Sequence, residues 1–149
     1  MKEEIVWVTF NNTTVKAGEM GSTFGSCVSL KTLDFNGIKI PTITSLVGAF
    51  KGTGLITLNI EKLDLSGVTQ AVNTFEGTLS LTNVIFGKNL ATSISFGQCK
   101  KLTHDSLMSI INNLATVTTT QTLTLGAINI AKLSSDEIAI AVNKGWTVV

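Results

Sequence analysis

Arginine is missing from this chain. All eleven basic residues among its 149 are lysines, spread from Lys2 to Lys144, and ten acidic residues leave a net charge of +1. A nucleic-acid surface needs a clustered basic face, usually with Arg for bidentate contacts, so nucleic acid is not an expected partner. Charged residues make up 14% where about a quarter is usual; Thr, Asn, Ser and Gly fill the gap, which predicts a polar but uncharged surface. Two cysteines are too few for a disulfide framework. A single His, no close Cys-x-x-Cys and no H-E-x-x-H argue against zinc, and no cofactor is expected. Mean hydropathy is positive at +0.38, yet no apolar run approaches the roughly 18 residues that span a bilayer. The opening MKEEIVWVTF places Glu3 and Glu4 before a short apolar stretch, unlike a secretory signal. Two expectations follow: export by another route or none, or a chain that is a piece of a longer polypeptide.

What is present is a repeat. TFGSC at Thr23–Cys27 returns as SFGQC at Ser95–Cys99. Phe24, Phe50, Phe75 and Phe96 follow one another at spacings of 26, 25 and 21, each with a turn and then Leu30, Leu55, Leu81 or Leu102 behind it. LDFNGIKIPTITSLVGAF (33–50) lies over LNIEKLDLSGVTQAVNTF (58–75) without a gap, apolar on apolar at Leu33/Leu58, Phe35/Ile60, Ile38/Leu63, Ile40/Leu65, Ile43/Val68, Val47/Val72 and Phe50/Phe75. The third copy, VIFGKNLATSISF, is abbreviated, hence the spacing of 21. A period near 25 with L-x-x-L-x-[FI] falls in the leucine-rich-repeat range. One such repeat cannot bury its own apolar face; stacking sets each strand about 4.8 Å from its copy and turns the Leu and Phe positions into internal ladders. Cys27 and Cys99 then stand three coils apart, ~14 Å by strand spacing, too far for a disulfide. Both are expected to be free, buried and inert. Pro41, the only proline, is assigned to a coil corner, and Gly52 and Gly54 to another, where glycine supplies φ > 0.

A second pattern closes the chain. KLTHDSLMSIINN (101–113) and KLSSDEIAIAVNK (132–144) align without gaps. Thr103 and Ser134 read as N-caps, with Asp105 and Asp136 in first turns where the helix dipole favours them. Ser134-x-x-Glu137 adds a capping box. Leu107, Ile110, Ile111 and Leu114 form an i, i+3, i+4, i+7 stripe; the second helix is expected to bury Ile138, Ala141 and Val142 and to end on Gly145 at C′. Gln121–Gly126 and Trp146–Val149 read as strands, and Glu4–Phe10 as the first strand. Trp7 and Trp146 are assigned to end packing. The whole is one domain, 1–149: an N-terminal strand or cap (1–19), repeats of about 25 residues (20–102), and a helix–strand cap (103–149).

No catalytic constellation emerges. In His104-Asp105-Ser106, neighbours on a helix point apart, whereas a triad must converge. Gly87-Lys88 lacks the rest of a P-loop, with Thr82 at the first glycine position and Asn89 after the lysine. Gly52-Thr53-Gly54 fails as a dinucleotide fingerprint. Asp34-x-Asn36-Gly37 lacks the later Glu of a calcium loop. Glu3-Glu4 and Asp136-Glu137 are adjacent pairs, not carboxylates facing across a cleft. The expectation is a protein that is not an enzyme.

Strand alternation singles out one surface. With Leu33/Phe35, Leu58/Ile60 and Val84/Phe86 inward, Thr32, Asp34, Asn36, Thr57, Asn59, Glu61, Asn83 and Ile85 point outward, and Thr122 and Thr124 are expected to continue the row. Solenoids commonly bind partners across such a face.

The F-x-x-C-x-x-L-x-x-L-x-[FI] phase, with Ile43-Thr44 and Val68-Thr69 before the next Phe, resembles the BspA-like leucine-rich repeats of bacterial surface proteins over about residues 20–102. The tail, SLMSIINNLA and then TLTLGAINIAKLSSDEIAIAVNKGWTVV, is similar to the closing segment of such repeats in surface and phage-encoded proteins of gut bacteria. Thr53 and Thr78 in place of Cys, Val84 in place of Leu, and the short third copy depart from the pattern. The resemblance implies an α/β right-handed leucine-rich-repeat-like solenoid with one parallel sheet and two C-terminal strand–helix units. It also implies extracellular protein–protein contact, as in adhesion or phage tail attachment, at a cell surface or on a phage particle. It brings no catalytic residues. The alternative expectation is a structural spacer or assembly domain within a larger polypeptide.

Overall fold

The computed structural model describes residues 7–9, 18–36 and 42–149. Pro41, Glu3, Glu4, Gly37, Ile38 and Ile40, and the side chain of Trp7, lie outside the described residues. The fold is mixed α/β with short parallel strands: β1 (Trp7–Thr9), β2 (Gly18–Glu19), β3 (Thr32–Asp34), β4 (Ile43–Ser45), β5 (Thr57–Asn59), β6 (Asn83–Ile85), β7 (Ile94–Ser95), α1 (His104–Asn113), β8 (Gln121–Thr124), α2 (Ala127–Ile130), α3 (Ser135–Asn143) and β9 (Trp146–Val148).

Pairing follows the repeat. Thr32, Leu33 and Asp34 of β3 face Thr57, Leu58 and Asn59 of β5, an offset of 25. Those in turn face Asn83, Val84 and Ile85 of β6. The expectation of one parallel sheet is corrected: among the described residues the strands form three, ordered β1-β3-β5-β6, β2-β4 and β7-β8-β9. A bend within the copy separates β3 from β4 and β6 from β7, strands of only two or three residues, so they fall on different faces; in the copy between them Gln70 makes a single bridge to Ser45. The third sheet grows past the repeats because β8 and β9 continue from β7.

The core is the predicted ladder. Phe24, Phe50, Phe75 and Phe96 are all buried and their rings stack in sequence, with centroids 6.0, 5.3 and 4.5 Å apart. Leu30, Leu55, Leu81 and Leu102, and Leu33, Leu58 and Val84, form further buried rungs. Burying a large side chain contributes about 1.5–3 kcal/mol. No single copy encloses enough apolar surface to do this alone.

The Phe turns are chains of overlapping tight turns. Met20 O accepts from Thr23 N–H, Ser22 O from Gly25 N–H, and Phe24 O from Cys27 N–H, at 3.1–3.2 Å. Ser22 and Ser26, Gly48 and Gly52, Asn73 and Gly77 hold positive φ at matching places. Every second N–H is thereby turned along the stack. Met20, Ser22, Phe24 and Ser26 donate to the carbonyls of Ser45, Val47, Ala49 and Lys51, and Leu46, Gly48, Phe50 and Gly52 to those of Gln70, Val72, Thr74 and Glu76, all at 2.7–3.1 Å. Gly52 has the left-handed φ expected of it, +66°. Gly54 does not, and that expectation is corrected. It is glycine because a methyl group there would overlap the Val28 carbonyl oxygen.

Both cysteines are buried and free, and burial pushes the Cys99 thiol up to about 12.

At the closing end, the N-caps are as expected: Thr103 accepts from Ser106 N–H, and Ser134 and Glu137 form a reciprocal capping box. Gly145 sits at C′ with φ +90°. Leu107, Ile110, Ile111 and Leu114 are buried. On α3 only Ala141 is buried; Ile138 is half-buried and Val142 is 53% exposed, which corrects two of the three expected core positions. Residues 138–142 are apolar throughout, so periodicity could not say which side faces inward. Trp146 packs inside, its Nε1–H donating to Ala115 O at 2.8 Å.

Helix α1 occupies the position next to β6 where another strand would stand. Ser106 Oγ accepts from Val84 N–H (2.8 Å) and donates to Thr82 O (3.0 Å). Ser109 Oγ accepts from Phe86 N–H at 2.9 Å, and Asn113 Nδ2 donates to Phe86 O at 3.4 Å. Side chains at i, i+3 and i+7 thus pair the edge of β6 and end the four-stranded sheet. Thr122 and Thr124 therefore do not continue its row. They belong to the third sheet, on β8.

Candidate interaction surface

The surface singled out by alternation is assembled by three strands. Thr32, Thr57 and Asn83 lie in one row and Asp34, Asn59 and Ile85 in the next, each row set by the β3-β5-β6 register. Adjacent strands stand about 4.8 Å apart, so the six side chains make a grid two deep and three long. Between the rows, Leu33, Leu58 and Val84 point inward and are at most 3% exposed. Asn36 and Glu61 fall just past the strand ends, Asn36 exposed and Glu61 half-buried. Ile85 is 47% exposed, and Ile56, beside Thr57, is 43% exposed.

Two of these polar groups have local work. Asp34 Oδ1 accepts from Asn36 N–H at 2.8 Å, and Asn59 Oδ1 from Glu61 N–H at 3.1 Å. Such Asx turns bend the backbone out of the strand, which accounts for Asp34 and Asn59 without a partner. Thr32, Thr57, Asn83 and Ile85 carry no such role and form the part of the face open to contact.

Several charged groups elsewhere are engaged in pairs and caps. Lys51 meets Glu76 at 2.8 Å, and His104 Nε2 meets Glu137 Oε1 at 2.8 Å. Ser134 backbone N–H and His104 hold the Glu137 carboxyl below its usual range. The Asn89 amide, then Ser66, do the same for Asp64. Lys144 Nζ donates to Ile111 O and Asn112 O at the end of α1, and burial lowers its pKa.

The three letters His104-Asp105-Ser106 do not converge. The ring of His104 turns to Glu137, and Ser106 is buried against β6. Among the described residues, no three of His, Cys, Asp or Glu gather as a metal site, and no helix is long and apolar enough to cross a membrane.

Neither a protein-family model, nor a curated protein, nor a solved structure matches the chain.

Proposed function

We propose that this chain is a non-enzymatic protein-recognition module, coiled as a right-handed leucine-rich-repeat-like solenoid of BspA-like type. On that reading it belongs to a bacterial surface or phage-encoded protein and acts in adhesion or attachment. Support for the coil comes from the offset of 25 between β3 and β5 and from the stacked phenylalanines. The observation that carries the recognition reading is the in-register grid of Thr32, Thr57, Asn83 and Ile85. It is a rigid surface of small side chains with an apolar edge, and it carries little entropic cost on contact because short side chains have few rotamers to lose.

A second reading makes the chain a spacer or assembly domain in a longer polypeptide. The Asx turns of Asp34 and Asn59 favour it, since they give part of the polar row a purely structural use.

The test uses the purified chain as bait against bacterial-surface, host-surface and matrix extracts, with captured proteins identified by mass spectrometry. The control carries Thr32→Lys, Thr57→Lys and Asn83→Lys and spares the Asx turns; its folding is checked by circular dichroism. A partner held by the original and lost by the control is the expected result. Capture by both moves the site off this face, and no partner with a folded bait leaves the spacer reading.

A further inference from the structure

The column of backbone hydrogen bonds along the Phe turns stops after the third copy. Leu46, Gly48, Phe50 and Gly52 donate to carbonyls of the next turn. Their equivalents one repeat later are Ala71, Asn73, Phe75 and Gly77. Gly77 N–H finds an acceptor at 2.7 Å, but it is the side chain of Gln98, not backbone. Among the described residues, the N–H groups of Ala71, Asn73 and Phe75 have no acceptor.

The cause is the short copy. Between Val84 and Phe96 there are five fewer residues than between the matching Leu58 and Phe75. The fourth coil runs straight from β7 into Phe96, without a counterpart of the turn at Ala71–Thr74. The third turn therefore overhangs a notch of about 230 Å³, lined by Ala71, Val72 and Asn73 above and by Ser95, Thr122 and Thr124 below. A second hollow of about 170 Å³ continues from Asn73 and Ser95 past Phe75 to Glu76 and Gln98. Val72, on the rim, is 62% exposed.

We propose that this notch binds an extended peptide segment of another protein, whose alternate carbonyls accept from Ala71, Asn73 and Phe75 N–H. The molecule itself shows what these donors fit: in the two turns below, equivalent N–H groups spaced i, i+2 and i+4 each bind a carbonyl of an adjoining chain segment. Strand addition of this kind gains affinity from main-chain bonds and leaves selectivity to side chains at the rim. The floor suits close approach, since Ser95, Thr122 and Thr124 are small and uncharged. Val72 offers an apolar contact, and Glu76 and Gln98 close the far end. The site lies on the turn column, away from the grid of Thr32, Thr57 and Asn83, and goes beyond the reading given for that face.

The test is selection of a random heptapeptide library on the whole purified chain, followed by amide-resolved NMR with the enriched peptide. Binding should shift the Ala71, Asn73 and Phe75 amides and slow their exchange. Thr124→Trp, which fills the notch from the surface of β8, should weaken binding at least tenfold, and so should Ser95→Lys as a second variant. The triple lysine control of the strand face should bind as the original does. The proposal is overturned by no enrichment above an unrelated immobilised protein, or by peptides that leave these three amides unchanged. Undiminished binding to both folded variants also overturns it. Shifts of these amides by a soluble uncharged glucan but by no peptide would assign the notch to a glycan instead.

Discussion

The repeated part of the molecule and its closing end solve one problem by different means. From β3 through β5 to β6, and from the first Phe turn through the second to the third, backbone meets backbone of the next copy, strand on strand and turn on turn. At the closing end, side chains take over: Ser106, Ser109 and Asn113 pair the edge of β6, Asn129 donates to Cys99 O, and Lys132 and Lys144 cap carbonyls with their ammonium groups. A repeat tolerates much substitution outside its core, because any residue brings a backbone. A cap made of side chains is specific to its residues.

Removing a side-chain acceptor should therefore cost more than altering a rung of the repeat. Ser106→Ala leaves the N–H of buried Val84 and the carbonyl of Thr82 without this hydroxyl. An unsatisfied buried polar group costs about 1–3 kcal/mol. Within the repeat, β5 meets β3 and β6 backbone to backbone, so Thr57→Ala, on the outer side of β5, should stay within about 0.5 kcal/mol. Urea unfolding of the two variants checks the difference, and equal losses would abolish the contrast.

A finer comparison sits inside the repeat. Thr53 and Thr78 occupy the same rung, both buried. Thr78 Oγ1 donates to Phe50 O at 2.8 Å, whereas Thr53 Oγ1 has no partner among the described residues. Thr53→Val should stabilise by about 1 kcal/mol, because it removes an orphan hydroxyl at nearly constant volume. Thr78→Val should destabilise by about 1 kcal/mol. Opposite shifts in the denaturation midpoint are the expected reading. Shifts of the same sign would mean that rung position, not hydrogen bonding, governs both.

The same division explains what could be read from the sequence. The repeat was legible because stacking demands the same residue type at the same place in every copy, so Phe24, Phe50, Phe75 and Phe96 announce themselves. The helix caps were legible because Thr103, Ser134 and Glu137 act on neighbours along the chain. Six of the eight face residues stand on paired strands in register, and the other two lie at strand ends, since alternation needs only the strand positions. What sequence could not give were contacts between distant side chains and backbone. Nothing in the spacing of Ser106, Ser109 and Asn113 says that a helix will stand in for a strand, and so where the sheet ends was missed. Helix α2 was missed too: its N-cap, Gly126, makes no side-chain cap bond, and the buried amide of Asn129 anchors it to a carbonyl thirty residues away. The division into three sheets comes from bends within each copy, which strands of two or three residues do not signal.

The smallest expected effect tests the side-chain cap through pH. The carboxyl of Glu137 is held low by the Ser134 N–H and by His104 of the other helix. A carboxylate with a lowered folded pKa adds stability that is full above its unfolded value, near 4.3, and that fades as pH falls through the folded value. In that window the unfolded chain binds more protons, so stability should rise with pH. Glu137→Gln keeps an acceptor oxygen for the cap but not the charge. The gap in melting temperature between the original and this variant should be present at neutral pH and close below about pH 4, and it should shrink with added salt because the pair is exposed. A gap that stayed constant down to pH 3 would trace it to the uncharged hydrogen bonds of the cap and not to the carboxylate charge. The charge of Glu137 facing His104 across α1 and α3 would then contribute nothing to closing this end of the molecule.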